Sequence, residues 1–327
     1  MDIHTATEQV AETGRLLLEK KLVARTWGNF SARLDESHFC ITPSGLGYEH
    51  MTSEDIVRYN LTDDTYEGSH KPSSEKGIHA AAYRLFPDVG FVVHTHQIYA
   101  TALGLTAPEC LQITGEEARR LGGIAWADYG LPGTKKLCSA VTSAMEQGAH
   151  TVLMVHHGAL ICGRDREDAM ERAALLEDIC RRNCRWQEVS PSPKRFDALL
   201  ERVRKIYPTA AIEDTAPVQA RAALKTHMRA QIDDMAQMIG RKIPVANGEE
   251  DALRLLEKRN VVLLPGVGAI VHGEDAEDTA ALLVLIHKAA VASLHCRMAG
   301  KRAHLGPLDC IAMRRFYLLK YSKQKKG

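Results

Sequence analysis

The 327-residue sequence has almost no net charge, no C-x-x-C pair and no long uninterrupted apolar run. Each lack removes a class of function. Lys and Arg total 42 against 41 Asp and Glu, a formal charge of +1, so no overall field recruits nucleic acid or an anionic membrane. The basic cluster Lys320, Lys323, Lys325 and Lys326 reads as a solvated tail. No apolar run reaches membrane-spanning length. Met1-Asp2-Ile3-His4-Thr5 shows no charged segment followed by an apolar one, so no signal peptide is expected. The expectation is a cytoplasmic protein with no nucleic-acid or membrane partner. The eight cysteines are scattered, and Cys180 and Cys184, one helical turn apart, read as free thiols. Apolar content of 45% supplies a real core.

Within that bland composition His94-Thr95-His96 stands out. It closes Val89-Gly90-Phe91-Val92-Val93, which reads as a buried strand. Residues two apart on a strand share a face, so both imidazoles can reach one point in space. Two converging imidazoles suit a divalent metal, zinc above all. The competing reading is a pair of satisfied polar residues at a strand end.

Helical periodicity runs over residues 5–24, and a Gly/Asn turn at Gly28-Asn29 enters an early hairpin. Later strands alternate with helices, which predicts a sheet flanked by helices. Thr151-Val152-Leu153-Met154-Val155 is a second buried strand, ending at His156-His157-Gly158. Ser190-Pro191-Ser192-Pro193 and Asp214-Thr215-Ala216-Pro217 punctuate the region after the long helix that begins near Arg166. Beyond them Val261 to Asp278 echoes Thr151 to Asp168: Gly158 and Gly163 match Gly268 and Gly273, and both copies run into an Ala/Leu-rich helix. Val267 replaces His157, so the second copy reads as structural.

If the two His-ended strands are neighbours, three imidazoles meet and leave a coordination position open, as in catalytic zinc sites. If the second strand continues through its end, only one of His156 and His157 can face the metal. Glu75 can supply a carboxylate as fourth ligand or as acid/base. A second cluster, Gly28-Asn29, Ser44-Gly45 and Ser73-Ser74, offers donors without bulk. That suits a phosphate, although any one segment alone reads as turn or capping chemistry.

Five ordered segments carry a family resemblance: Thr26-x-Gly28-Asn29-x-Ser31-x-Arg33, Ile41-Thr42-Pro43-Ser44-Gly45, Lys71-Pro72-Ser73-Ser74-Glu75, Val92-Val93-His94-Thr95-His96 and His156-His157-Gly158. Together they resemble the class II aldolase/adducin family, in particular its fuculose-1-phosphate aldolases, over about residues 5–210. The resemblance implies a three-layer α/β/α fold around a mainly antiparallel sheet and a cyclic homotetramer. It implies a divalent metal, usually zinc, held by His94, His96 and His157, with Glu75 as a resting ligand and the catalytic acid/base. Gly28, Asn29, Ser44, Gly45, Ser73 and Ser74 match the family's phosphate-binding positions. The implied activity is cleavage of a ketose 1-phosphate, fuculose-1-phosphate-like, to glycerone phosphate and an aldehyde through a metal-stabilised enediolate. On this reading residues 1–212 form the catalytic domain. Residues 218–327 form a smaller α/β extension, a degenerate half-repeat with a structural role.

The chain departs from the family where a His-Tyr pair usually precedes a Gly-Gly. Here the stretch is Gly115-Glu116-Glu117-Ala118-Arg119-Arg120-Leu121-Gly122-Gly123, without a tyrosine. Its acids and arginines can bind a charged substrate part, or can form a solvated helix face. Tyr207 is the candidate by position for the family's late tyrosine, which helps protonate the leaving alkoxide; the competing reading is a packing anchor. The same chemistry supports decarboxylation of a β-keto acid or sugar acid phosphate, with Arg119-Arg120 as a carboxylate clamp. A non-enzymatic, adducin-like role predicts loss of the histidines, and all are present.

Overall fold

The computed structural model describes residues 1–187 and 196–324, so Ser190–Pro193, Lys325 and Lys326 lie outside the described residues. The chain divides into two compact units, Met1–Asn183 and Cys184–Gly327. Residues 184–212, grouped with the catalytic domain on sequence grounds, therefore fall in the second unit.

The first unit runs α1 (Ile3–Glu19), β1 (Asn29–Arg33), β2 (His38–Ile41), β3 (Val57–Asn60), β4 (Tyr66–Glu67), α2 (Lys76–Leu85), β5 (Phe91–Thr95), α3 (Ile98–Gly104), α4 (Gly115–Arg120), β6 (Ile124–Ala127), α5 (Lys135–Met145), β7 (Thr151–Met154), β8 (Gly158–Gly163) and α6 (Arg166–Asn183). Its eight strands form one sheet in the order β4-β3-β2-β1-β5-β8-β7-β6. Only the β6–β7 pair is parallel. The sheet is mainly antiparallel, as expected.

Period-two burial builds the layers. Val92, Val152, Leu160 and Cys162 share one face with Ile78 and Ala82 of α2 and Leu137 and Val141 of α5. Helices α1, α3 and α6 cover the other face. Helix α1 starts where Asp2 accepts a hydrogen bond from the Thr5 N–H, and it buries Ala6, Val10 and Leu17. The helices on both faces give the three-layer α/β/α arrangement.

Strands β5 and β7 are not neighbours: β8 lies between them, antiparallel to both. They therefore run in the same direction and end at the same edge of the sheet. Two glycines let the backbones close there. A Cβ on Gly158 would lie 2.2 Å from the Thr95 carbonyl oxygen, and one on Gly28 would lie 2.4 Å from that of His94. No side chain fits at either distance, so glycine flanks the histidine strand on both sides.

The second unit runs α7 (Asp197–Arg204), β9 (Ala211–Glu213), α8 (Ala216–Ala223), β10 (Met228–Arg229), α9 (Asp233–Met238), β11 (Lys242–Ile243), α10 (Glu249–Leu256), β12 (Val261–Leu264), β13 (Gly268–Val271), α11 (Ala276–Met298) and α12 (Pro307–Gln324). A three-stranded sheet, β12-β13-β9, packs Val262, Leu264 and Ile270 against Leu199, Val203 and Leu256. Its hairpin pairs Val261 with Val271 and Leu264 with Gly268. The β7–β8 hairpin pairs Thr151 with Ile161 and Met154 with Gly158. The two hairpins thus share one register.

Helix α11 is long and apolar enough, by length and composition, to cross a membrane, and 72% of its most apolar stretch is buried. The sequence shows no uninterrupted run there because His287 and Lys288 divide it. Lys288 is buried and paired with Asp234, also buried. Charges removed from water persist only when paired. Lys288→Met leaves that carboxylate without its cation. It is expected to cost about 3–5 kcal/mol of unfolding free energy, read as a lower urea midpoint at unchanged slope. An unchanged midpoint would show that the pair does not hold the second unit together.

Candidate metal centre

Three imidazoles come together at the shared end of β5 and β7. His94 is the next-to-last residue of β5 and is fully buried. Its Nδ1 lies 2.9 Å from the Ala159 carbonyl, which can only accept, so Nδ1 carries the proton. That leaves the Nε2 lone pair as the ligating one, the usual way a carbonyl behind a histidine sets its tautomer. His96 Nε2 lies 3.0 Å from His94 Nε2. The next residues are pinned from behind by α6. Gln97 donates to the Ala173 carbonyl at 2.7 Å, and the Glu177 carboxylate accepts from the Tyr99 and Ala100 N–H groups at 2.9 Å each. Glu177 thus caps α3.

His157 arrives differently from the sequence expectation. The strand does not continue through His156-His157; β7 ends at Met154 and gives way to a turn. His156 takes the left-handed conformation, φ 68°, and its ring meets Tyr129 edge-on at 5.1 Å. That reversal sends His157 to the other imidazoles. Its ring stacks on His94, centroids 4.9 Å apart at 17°, and stands edge-on to His96 at 4.7 Å. One ligand nitrogen from each of the three lies within 4.8 Å of the others.

Glu75 faces this group from the start of α2. Its Oε1 lies 2.9 Å from His157 Nε2, and its Oε2 lies 3.2 Å from His94 Nε2. Oε1 is buried and, among the described residues, has no well-aligned hydrogen-bond donor despite that short distance. Burial pushes the Glu75 carboxyl up, but the His157 and His94 rings outweigh it and hold it well below the usual carboxylate range. A tetrahedral ion with bonds of ~2.0–2.1 Å sets its ligand atoms about 3.3 Å apart. Three of the separations here, 2.9, 3.0 and 3.2 Å, approach that figure. Donor chemistry, burial and the unsatisfied Oε1 all fit a divalent ion held by His94, His96, His157 and Glu75.

The small polar segments gather beside Glu75. Asn29 Nδ2 donates to Glu75 Oε2 at 3.0 Å, and the Glu75 N–H donates to Ser73 Oγ at 3.2 Å. The loop bearing Ser44 and Gly45 is stitched to the loop bearing Ser73 and Ser74. Ser44 N–H donates to the Lys71 carbonyl at 2.9 Å, and Ser73 N–H to the Thr42 carbonyl at 3.0 Å. Ser74 is exposed next to Glu75, and Gly45 has φ 83°. Gly28 donates nothing by side chain; its carbonyl accepts from the Tyr48 hydroxyl at 2.6 Å.

Tyr207 belongs to the second unit. Its ring stacks on His272, centroids 4.1 Å apart, and packs against the core formed with α7 and α10. Arg119 and Arg120 lie exposed on α4, and Glu117 caps that helix while binding both terminal nitrogens of Arg182. Three residues behind Glu75 gain no role from the sequence, and two of them, His79 and Tyr83, lie in no motif. His79 Nε2 lies 2.6 Å from Asn29 Oδ1, its Nδ1 lies 2.6 Å from Ser31 Oγ, and Ser31 lies 2.8 Å from the Tyr83 hydroxyl. Spacing offered a signal: Glu75, His79 and Tyr83 are each one helical turn apart, and Asn29 and Ser31 share a strand face.

Comparison with known proteins agrees with this geometry. Residues 8–184 match the family described as the class II aldolase and adducin N-terminal domain. The chain belongs to the class II aldolase and adducin family. A solved L-fuculose 1-phosphate aldolase is 28% identical, with a TM-score of 0.51, over 55% of this chain and 85% of that one. A putative aldolase/epimerase/decarboxylase, YgbL from Klebsiella pneumoniae, is 23% identical, with a TM-score of 0.50, over 55% of this chain and 89% of that one.

A chelator is expected to lower the thermal midpoint of purified protein, because an ion bound only by the folded state stabilises it by about 2.7 kcal/mol at a hundredfold excess over Kd. Elemental analysis should find about one divalent ion per chain, lost in His157→Ala. Equal metal content in the variant would remove His157 from the site.

Proposed function

We propose that the chain is a zinc-dependent class II aldolase that cleaves a ketose 1-phosphate of the fuculose-1-phosphate kind to glycerone phosphate and an aldehyde. The observation that carries this reading is the buried Glu75 carboxylate, which faces His94 and His157 and touches Asn29 and Ser73. One residue thereby joins the imidazole group to the small polar loops. Family membership and the likeness to a fuculose-1-phosphate aldolase support it.

A bound divalent ion would polarise a chelating carbonyl and stabilise negative charge developing on substrate oxygens. The chain's own residues do the rest. Gly28, Asn29, Ser44, Gly45, Ser73 and Ser74 would hold the phosphate, turning binding energy into orientation. Asn29 keeps one amide proton for that task, since the other is given to Glu75. Glu75 would carry the proton to and from the carbon next to the carbonyl. Tyr207 as donor to the leaving alkoxide belongs to the same proposal, and its stack on His272 supports the packing alternative. A homotetrameric assembly is part of the proposal. So is the structural role of residues 218–327 as a degenerate half-repeat, which the shared hairpin register supports.

A metal-dependent decarboxylase is the second reading. The observation behind it is the tyrosine-free stretch 115–123, which exposes Arg119 and Arg120 beside Arg164 and Arg172. Incubation of metal-loaded protein with fuculose-1-phosphate, ribulose-1-phosphate and rhamnulose-1-phosphate separates the two: an aldolase releases glycerone phosphate together with lactaldehyde or glycolaldehyde, and a decarboxylase releases neither. Glu75→Gln is expected to lower that cleavage by about 10²- to 10⁴-fold, the usual worth of a positioned acid/base. A metal-loaded Glu75→Gln protein with full activity would sink the assignment.

A further inference from the structure

We infer that Asn29, His79, Ser31 and Tyr83 form a buried positioning chain that holds the Glu75 carboxylate in one orientation through a single hydrogen-bond polarity. The inference rests on the proposed role of Glu75 but not on the identity of the substrate. Asn29, Ser31, His79 and Tyr83 are all buried. The chain links α2 to β1 across one face of the sheet.

The polarity is fixed link by link. A carboxylate only accepts, so Asn29 turns its amide nitrogen to Glu75 Oε2, 3.0 Å away. Asn29 Oδ1 then faces His79 Nε2 at 2.6 Å and requires an N–H from it. No carboxylate touches His79 among the described residues, and burial first, then His94, lower its pKa to about 3, so the ring is neutral. A neutral imidazole has one N–H, which leaves Nδ1 as an acceptor. Ser31 Oγ, 2.6 Å away, must donate to it. Ser31 then accepts from the Tyr83 hydroxyl at 2.8 Å.

The alternative polarity has a definite cost. If His79 carried its proton on Nδ1, Nε2 would accept, and the Asn29 amide would flip to donate to it. Asn29 Oδ1 would then meet Glu75 Oε2, two acceptors at hydrogen-bond distance in a site closed to water. The Glu75 carboxylate prevents this through Asn29, and Ser31 completes the favoured polarity by giving Nδ1 a donor. His79, Ser31 and Tyr83 touch no reacting atom, so they are positioning residues, acting on Glu75 through Asn29. A chain that merely fastens α2 to β1 would affect stability and nothing else.

The decisive measurement is the His79 tautomer, read by long-range nitrogen–carbon NMR on histidine-labelled, zinc-loaded protein. The wild type is expected to show Nε2–H. Ser31→Ala is expected to keep Nε2–H, which Asn29 fixes, but to leave Nδ1 without its donor and so to change the visible spectrum of the cobalt(II)-loaded protein. It is expected to weaken cobalt binding or lower kcat by about 10- to 100-fold, as removal of groups behind a metal ligand does. Ser31→Thr, which keeps the hydroxyl, should restore both. Tyr83→Phe should keep the tautomer, because Asn29 still fixes it. An Nδ1–H tautomer in the wild type overturns the inference. So does a Ser31→Ala protein whose cobalt spectrum matches the wild type, even if its thermal midpoint falls. If no sugar phosphate is cleaved, the proposed reaction fails while tautomer and spectrum still decide the chain. Should Ser31→Ala not fold, the wild-type tautomer and Tyr83→Phe decide it alone.

Discussion

A carboxylate buried against three imidazoles is the contact around which the first unit is arranged. Glu75 and the histidines have almost no access to water. Burial of such a group raises its energy unless charge or hydrogen bonds compensate. On one side Glu75 Oε2 receives the Asn29 amide. On the other, Oε1 is turned toward His157 without a well-aligned donor among the described residues. An arrangement satisfied on one side and open on the other is poised for a cation. It also explains why the loops around it carry small polar residues: bulk there would block any ligand that reaches Glu75.

That contact demands close backbones. His94 and His96 can converge with His157 only if β5, β8 and β1 approach tightly. Gly158 against Thr95 and Gly28 against His94 are where a side chain would forbid it. Helix α6 adds the outer constraint, with Ala173 and Glu177 pinning Gln97, Tyr99 and Ala100 just after the second histidine. The half-buried Glu177 carboxyl, pushed up by burial to about 6, tolerates its place because two backbone N–H groups point at it. The histidine strand is thus gripped from both flanks and from behind, as a preorganised site requires.

Much of this was legible in residue order, and what was not has a common cause. Period two placed His94 and His96 on one face, and the apolar run marked β5 as buried. Alternation of strands and helices predicted the layered architecture. Strand order is a long-range property, so the placing of β8 between β5 and β7 could not be read locally. The choice between His156 and His157 depended on a left-handed residue at 156, a conformation that histidine seldom adopts and that no motif announces. His79 looked like an unremarkable residue on a helix. Its meaning lies in a partner fifty positions away, Asn29, which becomes a neighbour only when α2 docks on β1. The limit of the first unit at Asn183 was hidden for a similar reason: composition shifts later than the contacts do.

The second unit separates frame from chemistry. Its β12–β13 hairpin repeats the register of β7–β8, and Gly268 meets the Glu213 carbonyl oxygen much as Gly158 meets that of Thr95. A close approach of one strand end to a neighbouring backbone is therefore a property of the hairpin and its glycine. The imidazole is not part of that property, since Val267 occupies the position of His157 and packs into the second unit's core. A hairpin of this register thus holds with either residue at the position before its second strand. Glu75 has no such freedom. Its partners on β1 and the loop before α2 are packed to receive a carboxylate at that one point, so the geometry around the three imidazoles depends on Glu75.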